Sequence, residues 1–227
     1  MERKPVFNYV LIFFIIIIAV LGIMGFMVMN RISSITAEAE KIVALDIQSG
    51  EIDTTIYSGG RYAVVESAMK SYVGNYVNNI RTLIGINSDQ TIAGMLSLTN
   101  IVDDGPEFIK SKAYLDAKRR QITDLETSLV SAGSEDNIIS YFATKGQNFF
   151  FNWIYKNQML NNITLDFFYS EDEITSACNI VNTTLDNKEA VLNFLKDNSE
   201  HWTVENESIS FETDELLEEY RELVSKL

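Results

Sequence analysis

The sequence predicts a mainly α-helical protein with an N-terminal transmembrane helix and a small β-hairpin near the C-terminus. Three observations support this fold class. Residues 6–29 form an uncharged apolar segment, apolar residues recur every three or four positions along most of the remaining chain, and strict alternation occurs around residues 202–211. The folded part, residues 61–227, is therefore expected to be a helical, bundle-like domain.

The apolar segment is interpreted as an uncleaved signal anchor in contact with the lipid bilayer. At about 1.5 Å rise per residue, a helix over residues 6–29 crosses a hydrocarbon core of about 30 Å. A cleaved signal peptide has a shorter apolar region, closely followed by a site with two small residues around a variable one. Here the only Ala-x-Ala site is Ala37-Glu38-Ala39, and it lies far beyond the apolar run.

The orientation of this helix follows from the basic residues on each side. Arg3 and Lys4 immediately precede the segment, whereas Arg31 stands alone just after it. Because cytoplasmic flanks carry the excess of Lys and Arg, residues 1–5 are predicted to form a short cytoplasmic tail. The protein is then a single-pass protein of the cell membrane whose C-terminal domain is extracytoplasmic.

Residues 30–60 are predicted to form a juxtamembrane helical stalk and a linker. Ile32, Ile35, Ala39 and Ile42 continue the helical spacing after the anchor. This pattern fits a short coiled coil and packing on the domain equally well, because it covers fewer heptads than a coiled coil requires. The glycine- and serine-containing stretch from Gln48 to Gly60 then breaks the pattern and is read as a linker or loop.

Several local signals place elements within residues 61–227. An amphipathic helix is predicted from Arg61 to about Ile84, and another beginning near Asp104. Ser170 and Glu173 have the spacing of a capping box, in which each side chain satisfies a backbone N–H group of the other residue. A final acidic helix is predicted after the hairpin.

Charge and composition argue against several partner classes. The formal net charge is −14, and an acidic protein repels phosphate backbones, so no nucleic-acid partner is predicted. The basic cluster Lys118-Arg119-Arg120 is interpreted as a solvated helix face, because acidic residues accompany it. The chain has one cysteine and is poor in proline. Together with its many Asn and Ile residues, this composition suggests a bacterial protein.

The residues needed for common catalytic and metal sites are scarce. His201 is the only histidine, and Cys178 falls on the apolar face of a predicted helix, where a buried thiol is expected. Nucleotide-binding and nucleophile-elbow motifs are missing from the sequence. Asp103, Asp104 and Glu107 suit a helix start better than a cation site. No catalytic, cofactor-binding or metal-binding residue is therefore predicted.

One aromatic run supplies the candidate partner-binding residues. Residues 149–155 contain the densest group of aromatic side chains in the domain: Phe149, Phe150, Phe151, Trp153 and Tyr155. Two interpretations are open. The run forms either a helix buried against its neighbours or an exposed face that binds a partner.

These observations favour a non-enzymatic, membrane-anchored binding or assembly subunit of an envelope complex. The expected partner is a membrane or envelope protein, in addition to the bilayer. The main alternative is a ligand-binding sensory domain, which would have to signal through a membrane partner because the predicted tail is so short. A carboxylate-dependent hydrolase is the third hypothesis, since acidic residues are abundant.

Overall fold

The computed structural model describes residues 5–205 and 207–227, with side chains from Ile16 onward. The predicted cytoplasmic tail, apart from Pro5, lies outside the described residues, as does Asn206. The chain is mainly helical, as predicted. Its elements in chain order are α1 (Pro5–Val43), α2 (Arg61–Asn87), α3 (Gln90–Ala93), a 3-10 turn (Gly94–Leu96), α4 (Leu98–Asp104), α5 (Ile109–Ala132), α6 (Glu135–Ala143), α7 (Phe149–Gln158), a π-helical segment (Met159–Thr164), α8 (Leu165–Phe167), α9 (Glu171–Asp197), β1 (Trp202–Glu205), β2 (Ser208–Phe211) and α10 (Asp214–Val224).

Helix α1 continues without a break from the apolar segment into the folded part of the chain. Within the described residues it is the one helix long and apolar enough to cross a membrane. Its side chains from Ile16 to Met27 are exposed, whereas Ile35, Ala39 and Ile42 are buried. The exposed part is therefore a candidate membrane span, and the last two turns pack as a core helix.

The chain divides into two compact units. The first comprises the residues up to Gly74 together with Glu135–Phe168, and the second comprises Asn75–Ser134 together with Tyr169–Leu227. The domain limits proposed from the sequence, at residues 30 and 61, stay a prediction.

The first unit is organised around the C-terminal part of α1, which packs against α7, the π-helical segment and α8. Helix α6 packs on α7, and the stacked rings of Phe142 and Tyr155 join them with a centroid distance of 4.4 Å. Apolar side chains from these helices and from the start of α2 form the core. Its fully buried members include Ile35, Ala39, Val65, Met69, Ile138, Phe142, Ile154, Tyr155, Met159 and Ile163.

The second unit is built on the long helices α5 and α9, which pack along one another, with α10 against α9. The predicted capping box is confirmed: the N–H of Glu173 donates to the Ser170 hydroxyl, and the Glu173 carboxylate accepts the N–H of Ser170. The hairpin is also confirmed, with Trp202 opposite Phe211 in the antiparallel register. Its inward face, which includes Trp202, is half-buried.

The start of α5 differs from the prediction. Asp104 ends α4 instead of beginning a long helix, and α5 begins at Ile109. The Asp104 carboxylate accepts the backbone N–H groups of Lys110 and Ser111, at 3.0 and 2.8 Å. Asp104 therefore stabilises the first turn of α5 through its negative charge and its hydrogen bonds.

Candidate functional site

The aromatic run of α7 divides into an exposed and a buried face. Phe149 is 85% exposed, Trp153 is 49% exposed and Phe150 is 38% exposed, whereas Phe151 and Tyr155 are buried. This division follows from helical geometry, because residues three and four positions apart share a face. The run is therefore exposed in one part and buried in the other, and partner binding by the exposed part stays a prediction.

The exposed side chains Phe149, Phe150 and Trp153, with Ile139 of α6, are here called the aromatic surface. Phe150 and Trp153 have ring centroids 6.4 Å apart. A cavity of about 350 Å³ opens beside them between α6 and α7. Two buried oxygen atoms on its lining residues, Asn152 Oδ1 and Tyr155 Oη, have no hydrogen-bond partner among the described residues.

Helix α7 and the π-helical segment run in the same direction as α1. The Gln158 amide donates to the Thr36 hydroxyl at 3.0 Å. Further along both segments, Glu40 and Ala44 line a groove together with Asn162. Later residues of α1 thus meet later residues of the α7 region, so the first turn of α7 lies toward the apolar end of α1.

A chain of ring contacts confirms the position of the first turn of α7. The Arg31 guanidinium, which follows the apolar run of α1, lies 5.6 Å from the centre of the Tyr62 ring. Tyr62 in turn contacts Phe151 edge to face, with a centroid distance of 5.1 Å, and Phe151 contacts Phe150 at 5.3 Å. The aromatic surface therefore lies close to the point at which the apolar segment ends.

The same unit contains a buried ion cluster that sequence reasoning missed. The Lys70 ammonium lies 2.8 Å from Glu38 Oε2 and 2.8 Å from Glu66 Oε1, and all three side chains are nearly inaccessible to solvent. Lys70 also donates to the carbonyl oxygen of Thr55 at 2.6 Å. One cation therefore joins α1, α2 and the extended segment between them.

Backbone groups complete this ion cluster. The Glu66 carboxylate accepts the N–H groups of Tyr57, at 3.0 Å, and Ser58, at 2.7 Å. Burial opposes the ionisation of Glu66, but the hydrogen bonds from Lys70, Tyr57 and Ser58 outweigh it and lower the pKa of Glu66 below its ordinary value. Burial also disfavours the charged form of Lys70, yet its carboxylate partners raise the pKa of Lys70.

A signal for part of this cluster is visible in the sequence. Glu66 and Lys70 are four residues apart in a predicted helix, which is the spacing of an intrahelical ion pair. Such pairs are usually exposed, so the spacing does not predict burial. The third member, Glu38, comes from a helix that is distant along the chain.

The other side chains considered from the sequence take part in structural contacts. Arg119 of the basic cluster lies 2.7 Å from Asp186 and 2.6 Å from Glu189. His201 pairs with Glu212 in an exposed position. Cys178 is buried, as predicted, and burial raises the pKa of its thiol. Within the part of the chain that the structure describes, no group of three His, Cys, Asp or Glu side chains could hold a metal ion.

Comparison with protein-family models, with curated proteins and with solved structures yields no match for this chain.

Proposed function

We propose that the protein is a single-pass, membrane-anchored module that acts as a binding or assembly subunit of an envelope complex, with its helical part outside the cytoplasm. The continuity of α1 is the observation that supports this proposal most directly. One helix supplies both the candidate membrane span and part of the core of the first unit.

Such continuity has a mechanical consequence. A domain on a flexible linker samples many orientations relative to its anchor, whereas a shared helix restricts them. The pairing of Glu38 with Lys70 holds α1 against α2 on the extracytoplasmic side of the anchor. A fixed orientation suits a subunit that must present one surface to a partner within or along the membrane.

The aromatic surface is the proposed contact region of the first unit. Exposed aromatic side chains that lie together mark interaction sites more often than isolated ones do. Phe151 and Tyr155, which were also candidates for partner binding, support this surface from below because their side chains are buried.

Topology is tested by cysteine labelling. In a Cys178→Ala background, Ser225→Cys and Glu2→Cys are made separately and protoplasts are treated with a membrane-impermeant maleimide. Ser225 is exposed in the structure. Labelling of Ser225→Cys in intact protoplasts, and of Glu2→Cys only after lysis, is the expected result. The reverse pattern would show that the domain is cytoplasmic.

The assembly role is tested by cross-linking in intact cells followed by purification of the chain. Reproducible recovery of one membrane or envelope protein is expected. A matched variant with Phe149→Ser and Trp153→Ser retains the buried face of α7 and shows whether recovery depends on the aromatic surface. If no protein is recovered with either chain, the assembly role is wrong.

A second candidate function, ligand sensing, is favoured by the cavity between α6 and α7. Aromatic residues line this cavity, and two of its lining residues, Asn152 and Tyr155, each carry a buried oxygen atom without a hydrogen-bond partner among the described residues. Apolar walls with a few polar groups suit a small amphiphilic molecule. A large thermal shift with a small molecule, lost in Asn152→Leu, would support sensing over assembly. Turnover abolished by changing one or two carboxylates would instead support the hydrolase hypothesis.

A further inference from the structure

We propose that the aromatic surface docks onto the outer face of the lipid bilayer, with Phe149, Phe150 and Trp153 in the headgroup region. This inference rests on the proposed function, because it requires α1 to span the membrane. It goes further by assigning a partner to the surface: the bilayer itself.

The position of the aromatic surface along the axis of α1 supports this assignment. Gln158 is level with Thr36, as their side-chain hydrogen bond shows. Phe149 lies nine residues before Gln158, about 13 Å closer to the N-terminal end of two helices that run in the same direction. This distance brings Phe149 level with Met27, near the end of the apolar run.

Other parts of the first unit lie at the same level along α1, beside the end of the apolar run. Tyr57, Ser58 and Gly59 line a surface depression together with Phe26 and Met27 of α1. The Arg31 guanidinium donates to the carbonyl oxygen of Gly59 at 3.4 Å. The folded part of the chain therefore begins where the apolar side chains of α1 end, with no spacer between them.

The chemistry of the surface fits the membrane–water interface. Trp and other aromatic side chains concentrate at this depth because their apolar rings enter the acyl boundary while polar atoms stay hydrated. Phe149 is the first residue of α7, at the end nearer the anchor, and Trp153 lies about one turn further along the helix. Ile139 of α6 adds an exposed aliphatic side chain.

The local charge also fits an anionic bilayer. Residues 137–165 contain no Asp or Glu, although the whole chain has 32 acidic residues. Lys145, in the connection between α6 and α7, lies above the Tyr141 ring, with its ammonium 4.8 Å from the ring centre. This segment is therefore free of the repulsion that most of this acidic protein would experience near anionic headgroups.

The proposal is tested by the depth of a single tryptophan. The chain has two tryptophans, so Trp202→Phe leaves Trp153 as the only one, and Trp153→Phe leaves Trp202 as the matched control. Each full-length variant is reconstituted in vesicles of phosphatidylcholine and phosphatidylglycerol. Part of the phosphatidylcholine carries bromine on the acyl carbons nearest the headgroup. Trp153 is expected to lose most of its emission to the bromine, and Trp202 is expected to keep its emission.

Extraction of the same vesicles with alkaline carbonate distinguishes a failure of the proposed function from a failure of the docking proposal alone. If the chain is released, α1 does not span the bilayer and the proposed function fails. If the chain resists extraction and Trp153 is not quenched, or both tryptophans are quenched equally, only the docking proposal is wrong. Trp153 shielded from aqueous acrylamide but not quenched by bromine would show that protein, such as a second copy, covers the surface.

A pair of substitutions tests the surface without altering the core. Phe149→Glu places a carboxylate at a position that is 85% exposed, and it is expected to reduce the quenching of Trp153 severalfold. Ile180→Glu, at a 64% exposed position of α9 in the second unit, is expected to leave that quenching unchanged. Equal effects of the two substitutions would contradict the proposal.

Discussion

Lys70 and Glu38 form an ion pair of 2.8 Å in which both side chains are about 95% buried, although they are distant along the chain. Lys70→Met would leave the Glu66 carboxylate buried without a cation and would leave the Glu38 carboxylate with only the exposed Lys41. We expect this change to lower the free energy of unfolding by about 3–5 kcal/mol. The measurement is denaturant unfolding of the purified chain in a mild detergent.

Lys41→Met is the matched control, because Lys41 also pairs with Glu38 but its side chain is 64% exposed. Solvent weakens an exposed pair, so Lys41→Met should lower stability much less than Lys70→Met. Similar losses in the two variants would show that burial of the cluster has little influence on stability.

The same cluster predicts how stability depends on pH. The lowered pKa of Glu66 makes its carboxylate stabilising above the unfolded pKa, and that contribution disappears as the pH falls through the folded pKa. The raised pKa of Lys70 gives a contribution that is present below its unfolded pKa and disappears as the pH rises through the folded one. The cluster should thus contribute fully between about pH 5 and pH 10.

This pH dependence is measured as the unfolding midpoint of the native chain and of the double variant Glu66→Gln/Lys70→Met. The native chain should lose more stability than the variant at each end of the range. Parallel curves for the two proteins would mean that other groups produce the dependence.

Two buried tyrosines with different hydroxyl environments give a paired prediction. The Tyr155 hydroxyl has no hydrogen-bond partner among the described residues, whereas that of Tyr76 accepts the N–H of Tyr169 at 2.8 Å. Both residues are 1% exposed. We expect Tyr155→Phe to raise stability by about 1 kcal/mol and Tyr76→Phe to lower it by about 1–3 kcal/mol.

Thermal or denaturant unfolding of both tyrosine variants checks this prediction. A loss of stability in Tyr155→Phe as large as that in Tyr76→Phe would mean that the Tyr155 hydroxyl is satisfied in solution.

Trp202 of the hairpin is expected to contribute moderately to stability. Its ring is half-buried, and its indole N–H donates to the carbonyl oxygen of Leu195 at 2.7 Å. Trp202→Ala should therefore cost about 2–3 kcal/mol, less than the truncation of a fully buried tryptophan. Trp202→Phe keeps most of the apolar contact and should cost about 1 kcal/mol. A loss above about 4 kcal/mol in Trp202→Ala would show closer packing in solution.

Structural features that depend only on residues close together in the sequence could be predicted well. The capping box of Ser170 and Glu173 involves atoms three residues apart, so the sequence pattern contains all the partners it needs. The hairpin likewise follows from alternation over a few residues, with Trp202 paired to Phe211. The first residue of α5 was harder to predict. Asp104 belongs to the preceding helix, and its carboxylate accepts N–H groups six and seven residues further along the chain, which is not the spacing of an ordinary helix cap.

The candidate site could be predicted only in part. The sequence located the aromatic run and left open whether it is buried or exposed. Which side chains are exposed depends on the side of α7 that α6 covers, as the stacking of Phe142 on Tyr155 shows. The ion cluster could not be predicted, because Glu38 approaches Lys70 only after α1 and α2 have packed.

By itself, the sequence determined the helical character of the chain, the long apolar segment, the capping box of Ser170 and Glu173, and the hairpin, because composition, periodicity and short-range hydrogen bonds produce them. Tertiary structure alone decided that α1 joins the core of the first unit, that Lys70 is buried between Glu38 and Glu66, and that Phe149 lies level with the end of the apolar run. These relationships depend on contacts between residues far apart in sequence, and such contacts exist only once the helices have packed.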